Sequence, residues 1–188
     1  RWSGQALKGT PEDEALRRSY LELAGRLGED AEWAAVCSEA LENTHEPDVR
    51  RALCLDLAMV YREHLGSDEG AEEVYRFVLD AIDEDDPEAL AGLDALLDGS
   101  DRQAELAAVI ERRLNLESDS GAREPLLMRL GNLYSDSLGR FDEAASRYRE
   151  ILESTDDPGP VLKRLVGVES AREDWAALYD VYGMQVEL

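Results

Sequence analysis

The segment Leu57-Ala58-Met59-Val60-Tyr61 recurs as Leu130-Gly131-Asn132-Leu133-Tyr134, and the recurrence continues along the chain. Leu65-Gly66 returns as Leu138-Gly139, Ala71 as Ala144, Tyr75 as Tyr148 and Leu79 as Leu152, each 73 residues later. A fixed period of this length marks a repeat architecture. One supersecondary unit is too small to bury its own apolar face and is stacked on further copies. Val36 and Leu41 pair with Val109 and Leu114 at the same offset, and Leu106 and Val109 pair with Leu178 and Val181 at an offset of 72. These second sets fall between the first. The 73-residue unit therefore holds two subunits of about half that length, each a helical hairpin.

The helical reading follows from residue types. Ala, Leu, Glu and Arg dominate, alternating β-branched runs are scarce, and apolar residues recur at helical spacing. Ten helices are expected over residues 12–27, 30–44, 48–65, 68–83, 87–98, 101–117, 122–138, 141–155, 158–171 and 173–188. Breakers stand where hairpins must turn, at Gly28-Glu29-Asp30, Gly66-Ser67-Asp68, Gly99-Ser100-Asp101 and Gly139-Arg140. Asp86-Pro87 and Asp157-Pro158 each read as a capping Asp followed by Pro at the first helical position. Residues 1–11 show no period and are expected to form a lead-in; residues 12–188 form the array. The chain starts at Arg1 and ends inside a helical pattern, which reads as a piece of a longer protein.

Charge narrows the partners. The net charge of −23 repels polyanions, so neither nucleic acid nor an anionic membrane surface is expected, and a basic partner would be drawn in. The same charge would also serve simply to keep the array soluble. No apolar run approaches the ~18 residues of a membrane span, and no targeting signal fixes a compartment. Only Lys8 and Lys163 are lysines; the other 18 basic residues are arginines.

Residues 130–158 resemble the tetratricopeptide repeat. The resemblance rests on Leu130-Gly131 and Tyr134 in a first helix, the Gly139 turn, Phe141, Ala144 where two helices cross, Tyr148, Leu152 and the closing Pro158. There is one extra residue in the turn, Leu138. Residues 51–87 resemble it nearly as well, with Ala58 in place of the Gly. The hairpins near 15–45, 88–118 and 159–188 are degenerate, keeping Trp33 and Trp175 near the aromatic turn position. The resemblance implies an all-α, right-handed αα-hairpin solenoid of about five hairpins, with a concave groove lined by the first helices. It also implies a non-catalytic scaffold that binds a peptide or partner domain in that groove. On the matching positions the groove residues are Ala52, Leu55, Met59, Arg62 and Glu63 in one repeat, and Met128, Asn132, Ser135 and Asp136 in the other. The family's Lys/Asn clamp on a terminal carboxylate is matched by Asn132 alone, because Met128 and Asp136 stand where lysines are needed.

Other chemistry is thinly represented. Cys37 and Cys54 lie in apolar helical patterns without a CxxC, so both are expected to be buried in one layer and unbonded. His45 and His64 lack the HExxH spacing and read as surface residues near helix ends. The run Asp80, Asp83, Glu84, Asp85 and Asp86 lacks the spacing of a calcium loop and reads as a helix end followed by a cap. Neither a GxSxG nor a P-loop occurs. No catalytic residue, metal site or cofactor is expected, and an enzyme on a helical array is the reading with least support. A structural or regulatory segment of a bacterial secretion, motility or envelope assembly is the alternative to a scaffold. Tyr179 and Tyr182 are expected to be the most exposed of the aromatic residues.

Overall fold

The computed structural model describes residues 9–186. Within them the chain forms ten helices and no strand. In chain order these are α1 (Glu14–Leu27), α2 (Asp30–Asn43), α3 (Pro47–Met59), α4 (Asp68–Ala81), α5 (Pro87–Leu97), α6 (Gln103–Leu116), α7 (Ser120–Asn132), α8 (Phe141–Leu152), α9 (Gly159–Ala171) and α10 (Trp175–Val186). The all-α expectation and the order of helices are met. Of the expected lead-in, residues 1–8 lie outside the described residues. Pro11 is tied to α1 by its carbonyl, which accepts from Arg17 Nη1 at 2.8 Å.

Local chemistry sets the turns. Gly28, Gly66, Gly99 and Gly139 all take left-handed backbone, with φ between +61° and +76°, where a Cβ is unwelcome. These are the four glycines at the expected breaks. The fifth turn has no glycine, and Glu173 takes the same conformation with φ of 56°. Asp13, Ser67 and Asp119 cap α1, α4 and α7 by accepting backbone N–H groups three residues on.

The two Asp-Pro pairs do not behave alike. Asp86 Oδ1 accepts from Ala89 N at 2.7 Å, so it caps α5 as expected. Asp157 does not cap α9; the helix starts at Gly159 with Pro158 at the cap position and no side-chain capping bond. Pro160 then occupies the first turn, where its missing N–H leaves one fewer donor to satisfy.

The extra turn residue seen in sequence has a structural counterpart. Both α3 and α7 end in a wider, five-residue turn, Val60–His64 and Leu133–Ser137. In each the closing bond skips five residues, Leu65 N to Val60 O and Leu138 N to Leu133 O, both at 3.0 Å. A π turn absorbs one additional residue without breaking the helix. The two turns stand 73 residues apart, as the repeat requires.

The chain divides into two compact units, residues 1–96 and 97–188. In the first, α1 packs on α2, α2 on α3 and α3 on α4. Its core gathers Tyr20, Trp33, Cys37, Leu53, Leu57 and Val60. In the second, α6 packs on α7, α7 on α8, α8 on α9 and α9 on α10. Buried there are Leu130, Tyr134, Tyr148, Ile151, Leu162 and Leu165. Ala71 and Ala144 are fully buried, as crossing residues should be. Among the described residues no helix is long and apolar enough to cross a membrane.

The arginine bias acquires a structural role. Arg17 on α1 binds Asp56 on α3 at 2.8 Å, and Arg51 on α3 holds both Asp86 and Glu88 at the start of α5. Arg164 on α9 reaches Asp136 after α7 at 3.0 Å, and Glu169 on α9 is clasped by Arg149 and Arg172. The planar fork of guanidinium reaches two acceptors at once, which an ammonium does less well.

Candidate functional site

A first helix in a hairpin presents one face to its own partner and another to the next first helix. Between α7 and α9 the second of these faces opens into a cleft of about 700 Å³. Its apolar walls are Met128, Phe141 and Val168. Its polar edge carries Ser135, Asp136 and Arg164. Lys163, also on the lining, is exposed.

Three residues expected from sequence, Met128, Ser135 and Asp136, do line this cleft. Ser135 Oγ donates to Asp136 Oδ1 at 2.7 Å, and Asp136 Oδ2 accepts from Arg164, so this carboxylate is tied on both oxygens. Asn132 is half-buried, and its Oδ1 accepts the hydroxyl proton of Tyr148 at 2.7 Å. That carbonyl oxygen is occupied by the core, and only the amide NH2 remains for a ligand.

The other expected groove residues lie in the first unit. Ala52, Leu55 and Met59 are half-buried on α3, and Arg62 and Glu63 are exposed on the π turn that follows. Met59 packs against the core of that unit. Sequence reasoning missed Phe141, Lys163, Arg164 and Val168 as lining residues. A signal for two of them existed. Lys163 and Arg164 follow Met128 by 35 and 36 residues, the half-period of the repeat. They sit in a hairpin whose other family positions are worn away.

Burial and charge shape the surroundings. Tyr134, in the π turn itself, is buried, donates to Glu111 Oε1 at 2.5 Å and has the Arg140 guanidinium 4.6 Å above its ring. Burial, with the Glu111 bond second, pushes its hydroxyl up to about 12. Burial likewise raises the Tyr148 hydroxyl. Both cysteines are free and fully buried, as expected; burial pushes Cys54 up to about 11 and Cys37 higher still. His45 is exposed, and His64 at the end of its turn pairs with Asp30 at 2.7 Å. The acidic run 80–86 divides between the end of α4 and the α5 cap. Among the described residues no three His, Cys, Asp or Glu side chains gather as a metal site.

The comparisons agree with this geometry. A family model described as a tetratricopeptide repeat matches residues 126–162. These span the second half of α7, all of α8 and the start of α9, and so Met128, Ser135, Asp136 and Phe141 of the cleft. Three solved structures share the fold. A putative kinesin light chain with nearly identical TPR-like repeats from Podosopora anserina is 16% identical, with a TM-score of 0.54, covering 94% of this chain and 97% of that one. A mutant of MamA is 17% identical, with a TM-score of 0.55, covering 93% of this chain and 96% of that one. BtubC (BKLC) from P. vanneervenii is 16% identical, with a TM-score of 0.50, covering 95% of this chain and 83% of that one. Among curated proteins, none matches in sequence. The chain has a TPR-like helical repeat fold, and its residues 126–162 match the tetratricopeptide repeat.

Proposed function

We propose that this chain is a non-catalytic interaction module that binds a peptide or partner domain on its first-helix face. The observation that carries this reading is the cleft between α7 and α9. It is large enough for one or two side chains of a ligand. Met128, Phe141 and Val168 suit an apolar anchor. Lys163 offers a donor to a carbonyl or carboxylate on the same ligand. The surrounding field favours a partner of net positive charge and disfavours nucleic acid. The half-buried residues Ala52, Leu55 and Met59, with Arg62 and Glu63, form a separate face of the same type within the first unit.

The test is affinity capture from source cells with the whole chain, comparing wild type with Met128→Glu and Lys163→Glu. Loss of the same partner from both variants, with folding intact by circular dichroism, supports the cleft. Retention of every partner refutes it and favours a structural segment of a larger assembly held through other surfaces. For a captured partner, an association rate that falls with salt supports steering by the acidic field. A salt-independent rate assigns recognition to the apolar walls.

A further inference from the structure

The first unit holds a second, smaller cleft of about 340 Å³, lined by α2, α3 and α4. It is a gap between two successive hairpins. Leu41, Val74 and Phe77 wall it, and Cys54, fully buried, closes its base. Arg50 also lines it, with its guanidinium over the Phe77 ring, 5.4 Å from the ring centre. Glu42 and Glu73 stand exposed at the rim.

The 73-residue period supplies an internal comparison. Ser38, Arg50, Val74 and Phe77 correspond to Glu111, Arg123, Arg147 and Glu150 in the second unit. There the four charged side chains bind one another. Arg123 reaches Glu150 at 2.6 Å, and Arg147 reaches Glu150 at 3.2 Å and Glu111 at 3.9 Å. Arg123 also donates to the backbone carbonyls of Leu114 and Glu117 at 2.7 and 3.0 Å. In the first unit a hydroxyl, an isopropyl group and an aromatic ring replace three of those charges. Arg50 is left without an acceptor among the described residues and lies on Phe77 instead. The bridges that tie α6, α7 and α8 together thus give way to an open, largely apolar cleft between α2, α3 and α4.

We propose that this cleft is a docking site for one large apolar side chain flanked by basic residues, carried on a segment of a partner protein. Size and shape favour a side chain. The volume is at the low end of the roughly 300–1,000 Å³ of small-molecule sites, and the cleft is open to solvent, so it envelops an anchor and not a whole small molecule. Charge favours basic flanks. Neither Glu42 nor Glu73 is bonded to another side chain among the described residues, so both carboxylates are open to cations on the occupant. The net charge of −23 draws the same cations in from a distance. Arg50 completes the site by donating to a backbone carbonyl of the bound segment, as Arg123 does to carbonyls of its own chain. The site lies wholly within the first unit and uses no residue of the α7–α9 cleft.

The test is an amide chemical-shift titration of the whole isotope-labelled chain. The probes are blocked pentapeptides with Leu, Met or Phe between two lysines, added to about 5 mM. The expected result is saturable shifts centred on the lining residues of α2, α3 and α4. Peptides with Ala in place of the apolar residue, or Glu in place of the lysines, should bind at least about tenfold more weakly. Ser38→Glu with Val74→Arg and Phe77→Glu rebuilds the bridges of the second unit and should close the cleft, again costing about tenfold or more in affinity. Glu42→Lys with Glu73→Lys, both at exposed positions, should weaken the lysine peptides by roughly fivefold or more and serves where the triple variant folds poorly. Met128→Glu in the other cleft should change nothing. The proposal is overturned if no lysine peptide gives saturable shifts at α2–α4, or if the alanine or glutamate peptides bind equally well. Binding that survives both closure and rim reversal overturns it, as does loss of binding in Met128→Glu, or hexanol, an uncharged apolar probe, binding as tightly as the peptides.

Discussion

Gly131 sits on α7 directly beneath the Tyr148 ring. A Cβ there would lie 2.6, 2.9 and 3.0 Å from Cε1, Cζ and Cδ1 of that ring. Three ring atoms at such distances leave no small rotation that clears the clash. The ring is also fixed, since Tyr148 is fully buried and its hydroxyl donates to Asn132. Replacing a helical Gly by Ala would ordinarily gain ~1 kcal/mol of helix propensity. Overpacking a filled core costs about 1–3 kcal/mol. The net expectation for Gly131→Ala is a loss of about 1 kcal/mol. Gly167, on α9, supplies the control, since a Cβ there meets nothing within 4 Å. Gly167→Ala should gain close to the full ~1 kcal/mol of propensity. At 2–4 °C per kcal/mol for a chain of this size, the two melting temperatures should differ by roughly 4–8 °C, in opposite directions from wild type. In a Tyr148→Leu background the Gly131→Ala effect should turn favourable, because the clashing ring is gone. If Gly131→Ala stabilised the wild-type chain as Gly167→Ala does, the close packing of α7 on α8 assigned here would be wrong.

Three further outcomes are expected. Glu173→Gly should stabilise by roughly 0.5–1 kcal/mol, the relief of left-handed strain less the entropy gained by the unfolded chain; an unchanged or lower melting temperature would count against strain at that turn. Ala144→Leu should cost about 1–3 kcal/mol at its fully buried crossing, read by urea denaturation, and an unaltered midpoint would refute the crossing. Cys54 is held neutral by burial, pushed up to about 11 from an ordinary value near 9. Between these values the unfolded thiol ionises and the folded one does not, so the unfolded state binds fewer protons and stability falls as pH rises from about 9 to 11. Cys54→Ala should flatten that part of the pH–stability curve.

Much of this fold was legible because its punctuation is chemical. Four hairpin turns need left-handed backbone and carry the one residue that enters it freely, so Gly28, Gly66, Gly99 and Gly139 announced themselves. The fifth, expected between residues 171 and 173, carries no glycine signal, and Glu173 makes the same turn at a cost. Asp157 misled because a capping signature specifies a possible bond, whereas the helix begins one residue later, with Pro158 at the cap position. Trp175 shared an aromatic repeat position with Trp33, yet one is exposed and the other fully buried; periodicity fixes a face, not what covers it. The division at residues 96–97 was invisible for a related reason, since the period runs through it unbroken. At the cleft, the well-matched repeat yielded Met128, Ser135 and Asp136. Lys163 and Arg164 lay in a hairpin where only the half-period, not the family pattern, pointed to them.

The division of labour between the two kinds of cation has a practical outcome. Arginine makes the bridges between helices, while Lys163 stands exposed on the lining of the cleft. An amine-directed reagent, whether an acyl group in the cell or a crosslinker in vitro, ignores guanidinium. Within a chain holding only Lys8 and Lys163, such a reagent has very few places to go, and one of them is the cleft itself. Neutralising that single ammonium removes a donor from the cleft and leaves every arginine bridge in place. The proposed interaction face can therefore be modified chemically without touching the bonds that hold the helices together.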